Sequence, residues 1–69
     1  MQEIEEYQLV FFINGGGQFR FRLKGVTTLS TWKQCSSEDL AALAAIMNEK
    51  PLYYDAQRGA IGTQNEPVG

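Results

Sequence analysis

The stretch that decides the fold is residues 7–24, which reads YQLVFFINGGGQFRFRLK. Before the glycines every odd position is apolar. After them the odd positions are again apolar, while the even positions carry amide or basic side chains. A period of two is typical of a β-strand with one buried face. The stretch therefore predicts two strands joined at the triple glycine, Gly15 to Gly17.

The length of the turn follows from the rule that directly opposed side chains lie on the same face of a sheet. A two-residue loop would place Phe11 opposite Arg20 and so mix core with solvent. A three-residue loop keeps the apolar side chains of both strands on one face, and we predict this hairpin, with a glycine in the left-handed conformation. Two pairings satisfy it: Ile13 with Gly17, or Asn14 with Gln18.

A third strand and a helix follow the hairpin. The β-branched residues after Gly25 indicate a strand near Thr28 to Lys33. Ser36, with an acidic residue three positions later, is typical of a helix N-cap, and Pro51 prevents the helix from continuing. We expect the helix to run from about Ser37 to Asn48. Its apolar stripe has the spacing i, i+3, i+4, i+7 and consists of Leu40, Leu43, Ala44 and Met47.

The last part of the chain predicts a second hairpin. Residues 52–54 and 60–62 read as short strands, joined by a turn with a left-handed glycine at Gly59. Residues 64–69 lack apolar periodicity and are expected to form a flexible C-terminal tail. The sequence thus predicts one α+β domain over residues 1–63, a small antiparallel β-sheet in the order β-β-β-α-β-β with one amphipathic helix packed on one face.

Composition excludes several chemistries. The 69 residues include one cysteine and no histidine. An intrachain disulfide, a Cys/His zinc site and a histidine-based catalytic triad are therefore impossible. We expect no catalytic residue, no metal site and no cofactor, and we predict that the protein is not an enzyme.

Four local features have structural explanations that we favour over functional ones. The triple glycine joins strands and does not open a helix, as a phosphate-binding loop must. Cys35 lies near a helix N-terminus but has no histidine to activate it. Glu38 and Asp39 suit the first turn of a helix. Asp55 and Arg58 indicate a turn with a weak salt bridge.

The expected location is the cytoplasm, with no membrane contact. The longest unbroken aliphatic or aromatic run is Leu9 to Ile13, far shorter than the roughly 20 residues of a membrane-spanning helix. Residues 1–6 are acidic and lack the basic and apolar regions of a secretory signal. An unpaired cysteine agrees with a reducing compartment.

A basic strand face gives the alternative function. Strand alternation places Arg20, Arg22 and Lys24 on one face at steps of about 6.8 Å, close to the phosphate spacing of a nucleic-acid strand. The net charge of −2 opposes general binding to polyanions. A solvated face, with Lys24 opposite or diagonal to Glu6, is the simpler interpretation, so nucleic-acid binding ranks second.

The favoured function is a non-enzymatic protein-interaction module. Val10 and Phe12 would lie on the sheet face away from the helix, and Trp32 would extend that face. A domain of this size rarely gains more than roughly 3–5 kcal/mol from its core, so association would add stability. We therefore predict a homo-oligomer, most simply a dimer, formed through the sheet face or edge that the helix leaves open.

Overall fold

The computed structural model describes residues 2–63, which form one five-stranded sheet and one helix. The predicted order β-β-β-α-β-β is confirmed. The elements are β1 (Gln2–Phe11), β2 (Gly17–Leu23), β3 (Lys33–Cys35), α1 (Ser37–Met47), β4 (Leu52–Asp55) and β5 (Ala60–Thr63).

The sheet is antiparallel throughout, with the strand order β3-β2-β1-β4-β5. Its central strand, β1, divides its pairing between two neighbours. Residues from Ile4 to Phe11 pair with β2. Only the first three residues of β1, Gln2 to Ile4, pair with β4. Beyond Ile4, the side of β1 away from β2 therefore has no neighbouring strand among the described residues.

The first hairpin has the predicted faces but a different turn. Phe11 pairs with Gly17, so the loop contains five residues, 12–16, and the predicted three-residue loop is wrong. The backbone N–H of Gly15 donates to the carbonyl of Phe12 at 2.9 Å, which closes a reverse turn. Gly15 and Gly16 both have positive φ, at 123° and 79°, a conformation that glycine adopts readily. The observed register differs from both predicted pairings by an even number of residues, so the apolar side chains of the two strands still lie on one face.

A β-bulge lengthens the first strand beyond the predicted start at Tyr7. The register shifts between Ile4 and Glu6, so that one extra residue lies on β1 and the side-chain alternation is offset by one position. Ile4 consequently lies on the helix side of the sheet, in the core, although its even number would otherwise place it outside.

The third strand is shorter and later than predicted. Residues 28–32 do not form a strand. Beside β2, Ser30 bonds to Phe21 through its hydroxyl as well as its backbone, so the regular backbone pairing of a strand is interrupted there. The Ser30 N–H donates to the Phe21 carbonyl at 2.7 Å, and its hydroxyl accepts from the Phe21 N–H at 3.1 Å. The regular pairing begins only at Lys33, opposite Phe19.

The helix agrees with its prediction to within one residue. It begins after the N-cap Ser36, whose hydroxyl accepts from the Asp39 N–H at 3.0 Å, and it ends at Met47. The predicted stripe faces the sheet, with Leu40 and Met47 buried and Leu43 packed against the core. The core cluster of buried residues consists of Ile4, Phe21, Met47 and Leu52.

The N-cap provides a test of the helix start. We expect Ser36→Ala to lower the free energy of unfolding by about 1 kcal/mol, because the Asp39 N–H loses its acceptor. For a domain of this size the midpoint of thermal unfolding would fall by about 4–8 °C. Ser37→Ala, one residue inside the helix, is the control and should change the midpoint little. Equal midpoints for the two variants would contradict the cap.

The second hairpin is confirmed, with Gly59 in the left-handed conformation at φ 61°. Asp55 stabilises its turn through the backbone, since its carboxylate accepts from the N–H groups of Gln57 and Arg58 at 3.1 and 3.3 Å. The predicted tail, residues 64–69, lies outside the described residues. Across residues 2–63, no helix has both the length and the apolar character needed to cross a membrane.

Candidate interaction surfaces

The basic residues of β2 lie on the sheet face away from the helix, as their alternation requires. Arg20 is opposite Gln8, and its Nε donates to the Gln8 side-chain oxygen. On its other side, the Arg20 guanidinium carbon lies 4.4 Å from the ring centroid of Trp32, a cation–π contact. Arg20 is therefore held between two side chains of its own chain.

Arg22 is held more extensively than Arg20. Its Nε donates to Glu6 at 2.8 Å, a second nitrogen lies 3.4 Å from a Glu5 carboxylate oxygen, and a third donates to the Val26 carbonyl at 2.9 Å. The hydrogen bond to Glu6 raises the pKa of the Arg22 guanidinium. Both acids come from the bulged part of β1, so the bulge supplies the two negative charges that surround Arg22.

Lys24 differs from the two arginines. It follows the last residue of β2, is exposed, and donates its backbone N–H to the Glu3 carbonyl at 2.9 Å. The register places Arg22 opposite Glu6, so Lys24, two residues further along β2, lies diagonal to Glu6 and not directly opposite it. On this face Arg20 and Arg22 therefore contact amide and acid partners. Lys24 lies at the end of the row of three basic side chains.

The three residues predicted as an interface occupy separate positions. Val10 is half-buried in β1 opposite Gln18, Phe12 is exposed in the turn, and Trp32 lies just before β3. The register and the Arg20–Trp32 contact place Gln18 and Arg20 between Val10 and Trp32. None of the three belongs to the buried core cluster.

The open edge of β1 is the second surface. The N–H of Phe12 donates towards β2, to the Gly16 carbonyl at 3.1 Å. Since alternate residues of a strand direct their backbone groups to the same side, Tyr7, Leu9 and Phe11 direct theirs away from β2. The hydrogen bonds of Phe21, which pairs with Tyr7, support this assignment. Its N–H and its carbonyl both bond to Ser30, on the side of β2 away from β1. Within residues 2–63, the outward groups of Tyr7, Leu9 and Phe11 therefore have no strand partner.

Large apolar side chains are exposed along the same segment. Of the seven exposed large hydrophobic residues within 2–63, four lie between positions 7 and 13: Tyr7, Phe11, Phe12 and Ile13. Phe11 is 59% exposed and Ile13 is 92% exposed. The sequence does not predict the exposure of Tyr7 and Phe11, because their odd positions indicate the face that the helix covers. They do lie on that face, but at its uncovered margin.

A shallow groove connects this edge with the helix. It has a volume of about 300 Å³, and its lining is mainly apolar. The groove runs beside Leu9 and Phe11 on β1 and beside four residues of α1, Ser37, Leu40, Ala41 and Ala44. The alanine side chains of α1 are small and do not fill the space beside β1. The strand is therefore accessible from its edge and from part of its helix side.

The described residues contain no group of three or more cysteine, aspartate or glutamate side chains that could hold a metal ion. A scan against protein-family models and searches of curated proteins and of solved structures returned no match. Two surfaces of the described residues are the candidates for a functional site, the polar sheet face and the apolar edge of β1.

Proposed function

We propose that this chain is a small non-enzymatic protein-interaction module that self-associates along β1, on the surface the helix does not cover. The observation that supports this most strongly is the coincidence of an unpaired strand edge with exposed Tyr7, Phe11, Phe12 and Ile13. Exposed strand edges bind other strands, and natural proteins usually protect them with charge or proline. From Tyr7 to Ile13 this edge has neither.

The size of the domain favours association. Removing apolar surface from water contributes roughly 25 cal/mol per Å², and a large exposed apolar patch on a small protein usually marks a contact surface. Covering the exposed parts of Phe11 and Ile13 would add to a thin stability margin. Val10, Phe12 and Trp32 remain candidate interface residues, with Phe12 nearest to the edge surface.

Nucleic-acid binding through Arg20, Arg22 and Lys24 is the second candidate. The spacing along β2 is its main support. Against it, Arg22 already faces Glu5 and Glu6, and Arg20 already stacks on Trp32. A phosphate would have to displace these partners, so we expect weak binding at physiological salt. A cytoplasmic location is part of the same proposal and is supported by the single unpaired cysteine.

Sedimentation velocity over a wide concentration series, with and without a single-stranded oligonucleotide, tests this ranking. We expect the average mass to rise with protein concentration and to be unaffected by the oligonucleotide. The triple variant with Arg20, Arg22 and Lys24 replaced by glutamine is the matched control and should associate like the parent.

The opposite pattern would reverse the ranking. A monomer that shifts only with oligonucleotide would favour nucleic-acid binding. In that event the logarithmic salt dependence of binding should lose a slope of roughly 2 in the triple glutamine variant, since about three phosphate contacts would disappear.

A further inference from the structure

We propose that two copies of this chain pair edge to edge through β1, as antiparallel strands related by a two-fold axis, with Leu9 facing Leu9 of the second copy. This proposal rests on the proposed function and specifies its geometry. The two five-stranded sheets would join into one continuous sheet across the axis. Tyr7 of each copy would face Phe11 of the other.

The hydrogen-bonding groups suit this pairing. Tyr7, Leu9 and Phe11 direct their N–H and carbonyl groups outwards, and these are alternate residues of one strand. An antiparallel partner with the same outward residues would exchange two bonds at each of three facing positions, about six in all. Odd residues of one copy face odd residues of the other, so the apolar helix-side faces of both copies stay on the same side.

Charge selects the antiparallel direction. Glu5 and Glu6 lie at one end of the edge, and residues 7–13 are uncharged. A parallel arrangement would place the acidic pairs of the two copies side by side. The antiparallel arrangement separates them and brings each pair opposite Phe12 and Ile13 of the other copy, so no like charges face one another.

The neighbouring elements select the register. Sliding the two-fold axis from Leu9 to Tyr7 would bring Phe11 opposite Glu3, whose edge of β1 is already occupied by β4. Sliding it to Phe11 would leave Tyr7 without a partner and use the turn instead of the strand. The axis at Leu9 gives the longest pairing that β4 permits.

The partner is a second copy because the edge is complementary to itself. Antiparallel pairing keeps its acidic end away from the acidic end of the second copy, and its outward groups match themselves in position. The side chains of Tyr7 and Phe11 would also cover the apolar groove beside Leu9 and Ala44. In strand addition of this kind, backbone hydrogen bonds provide the affinity and alternate side chains provide the specificity.

A charge-swap experiment tests the register. In the double variant Tyr7→Lys, Phe11→Lys, like charges would face each other at two positions, and we expect the dissociation constant to rise at least about 100-fold. In Tyr7→Lys, Phe11→Glu, opposite charges would face each other, and association should be tighter than in the first variant by about tenfold or more. Within one copy the two positions are about 13 Å apart, so the change of sign affects the fold little.

Ile46→Lys is the matched surface control, because Ile46 on the helix and Tyr7 on β1 are both 38% exposed. It should associate like the parent. If the parent is a monomer at all concentrations, the proposed function fails. If the parent associates and the two double variants associate equally well, the interface lies elsewhere and only the edge pairing fails.

A measurement on the unsubstituted chain does not depend on the folding of any variant. In a sample that mixes isotope-labelled and unlabelled protein, nuclear Overhauser contacts between copies should connect the ring of Tyr7 with the ring of Phe11. Contacts between copies that arise at Trp32 and Val10, and not at Tyr7 or Phe11, would overturn the edge pairing in favour of the open sheet face.

Discussion

Phe21→Ala is expected to abolish the cooperative unfolding transition of this domain. Phe21 is 3% exposed and lies in the core cluster with Met47, and its ring centroid is 4.9 Å from that of Tyr54. Removing a buried phenyl ring costs about 3–5 kcal/mol. Because a core of this size supplies roughly 3–5 kcal/mol in total, the variant should be largely unfolded at room temperature.

Phe11→Ala is the matched control for Phe21→Ala. Phe11 is the same residue type in the adjacent strand, but it is far more exposed. Urea unfolding followed by circular dichroism, at a concentration below that of association, should give nearly the parental midpoint. A stable Phe21→Ala variant, or equal losses for both, would show that the core is not centred on Phe21.

Gly17→Ala should also destabilise the fold, by about 1–3 kcal/mol. Gly17 is a buried strand residue, and a Cβ there would lie 2.7 Å from the Leu40 Cδ2 atom and 2.8 Å from the Val10 carbonyl oxygen. Leu40 can move its side chain, but the Val10 carbonyl belongs to the β1 backbone. The substitution therefore separates the helix from the hairpin or distorts the strand pair.

Gly62→Ala is the control for Gly17→Ala. Gly62 is also a strand glycine, but a Cβ there would meet no atom within 4 Å. With one fewer flexible residue in the unfolded chain, we expect unchanged or slightly increased stability, by up to about 1 kcal/mol. Comparable losses at both positions would contradict the close approach of α1 to β2.

The sequence predicted the faces of the first hairpin because side-chain alternation survives any even shift of register. It did not predict the register itself. Gly17 looks like part of the turn, and its role as the contact site of Leu40 depends on the position of the helix. The helix ends were predictable from local chemistry, since Ser36 and Pro51 act within one turn of their own positions.

The extent of β1 could not be read from alternation. Glu5 and Glu6 interrupt the pattern, and only the bulge places Ile4 on the core side of the sheet. The open edge of β1 could not be predicted from the sequence either, since it depends on where β4 stops pairing with β1. Alternation predicts the correct face for the even residues of β2, but the partners of Arg20 and Arg22 follow from the register and from the path of the chain before β3.

Amide hydrogen exchange at low and high protein concentration, followed residue by residue by nuclear magnetic resonance, tests the edge pairing most directly. The N–H groups of Gln8 and Val10 point towards β2 and should be protected at both concentrations. Those of Tyr7, Leu9 and Phe11 should exchange rapidly in dilute protein and become protected as dimer forms. If they remain unprotected when sedimentation shows that the dimer is populated, the two copies do not pair through β1.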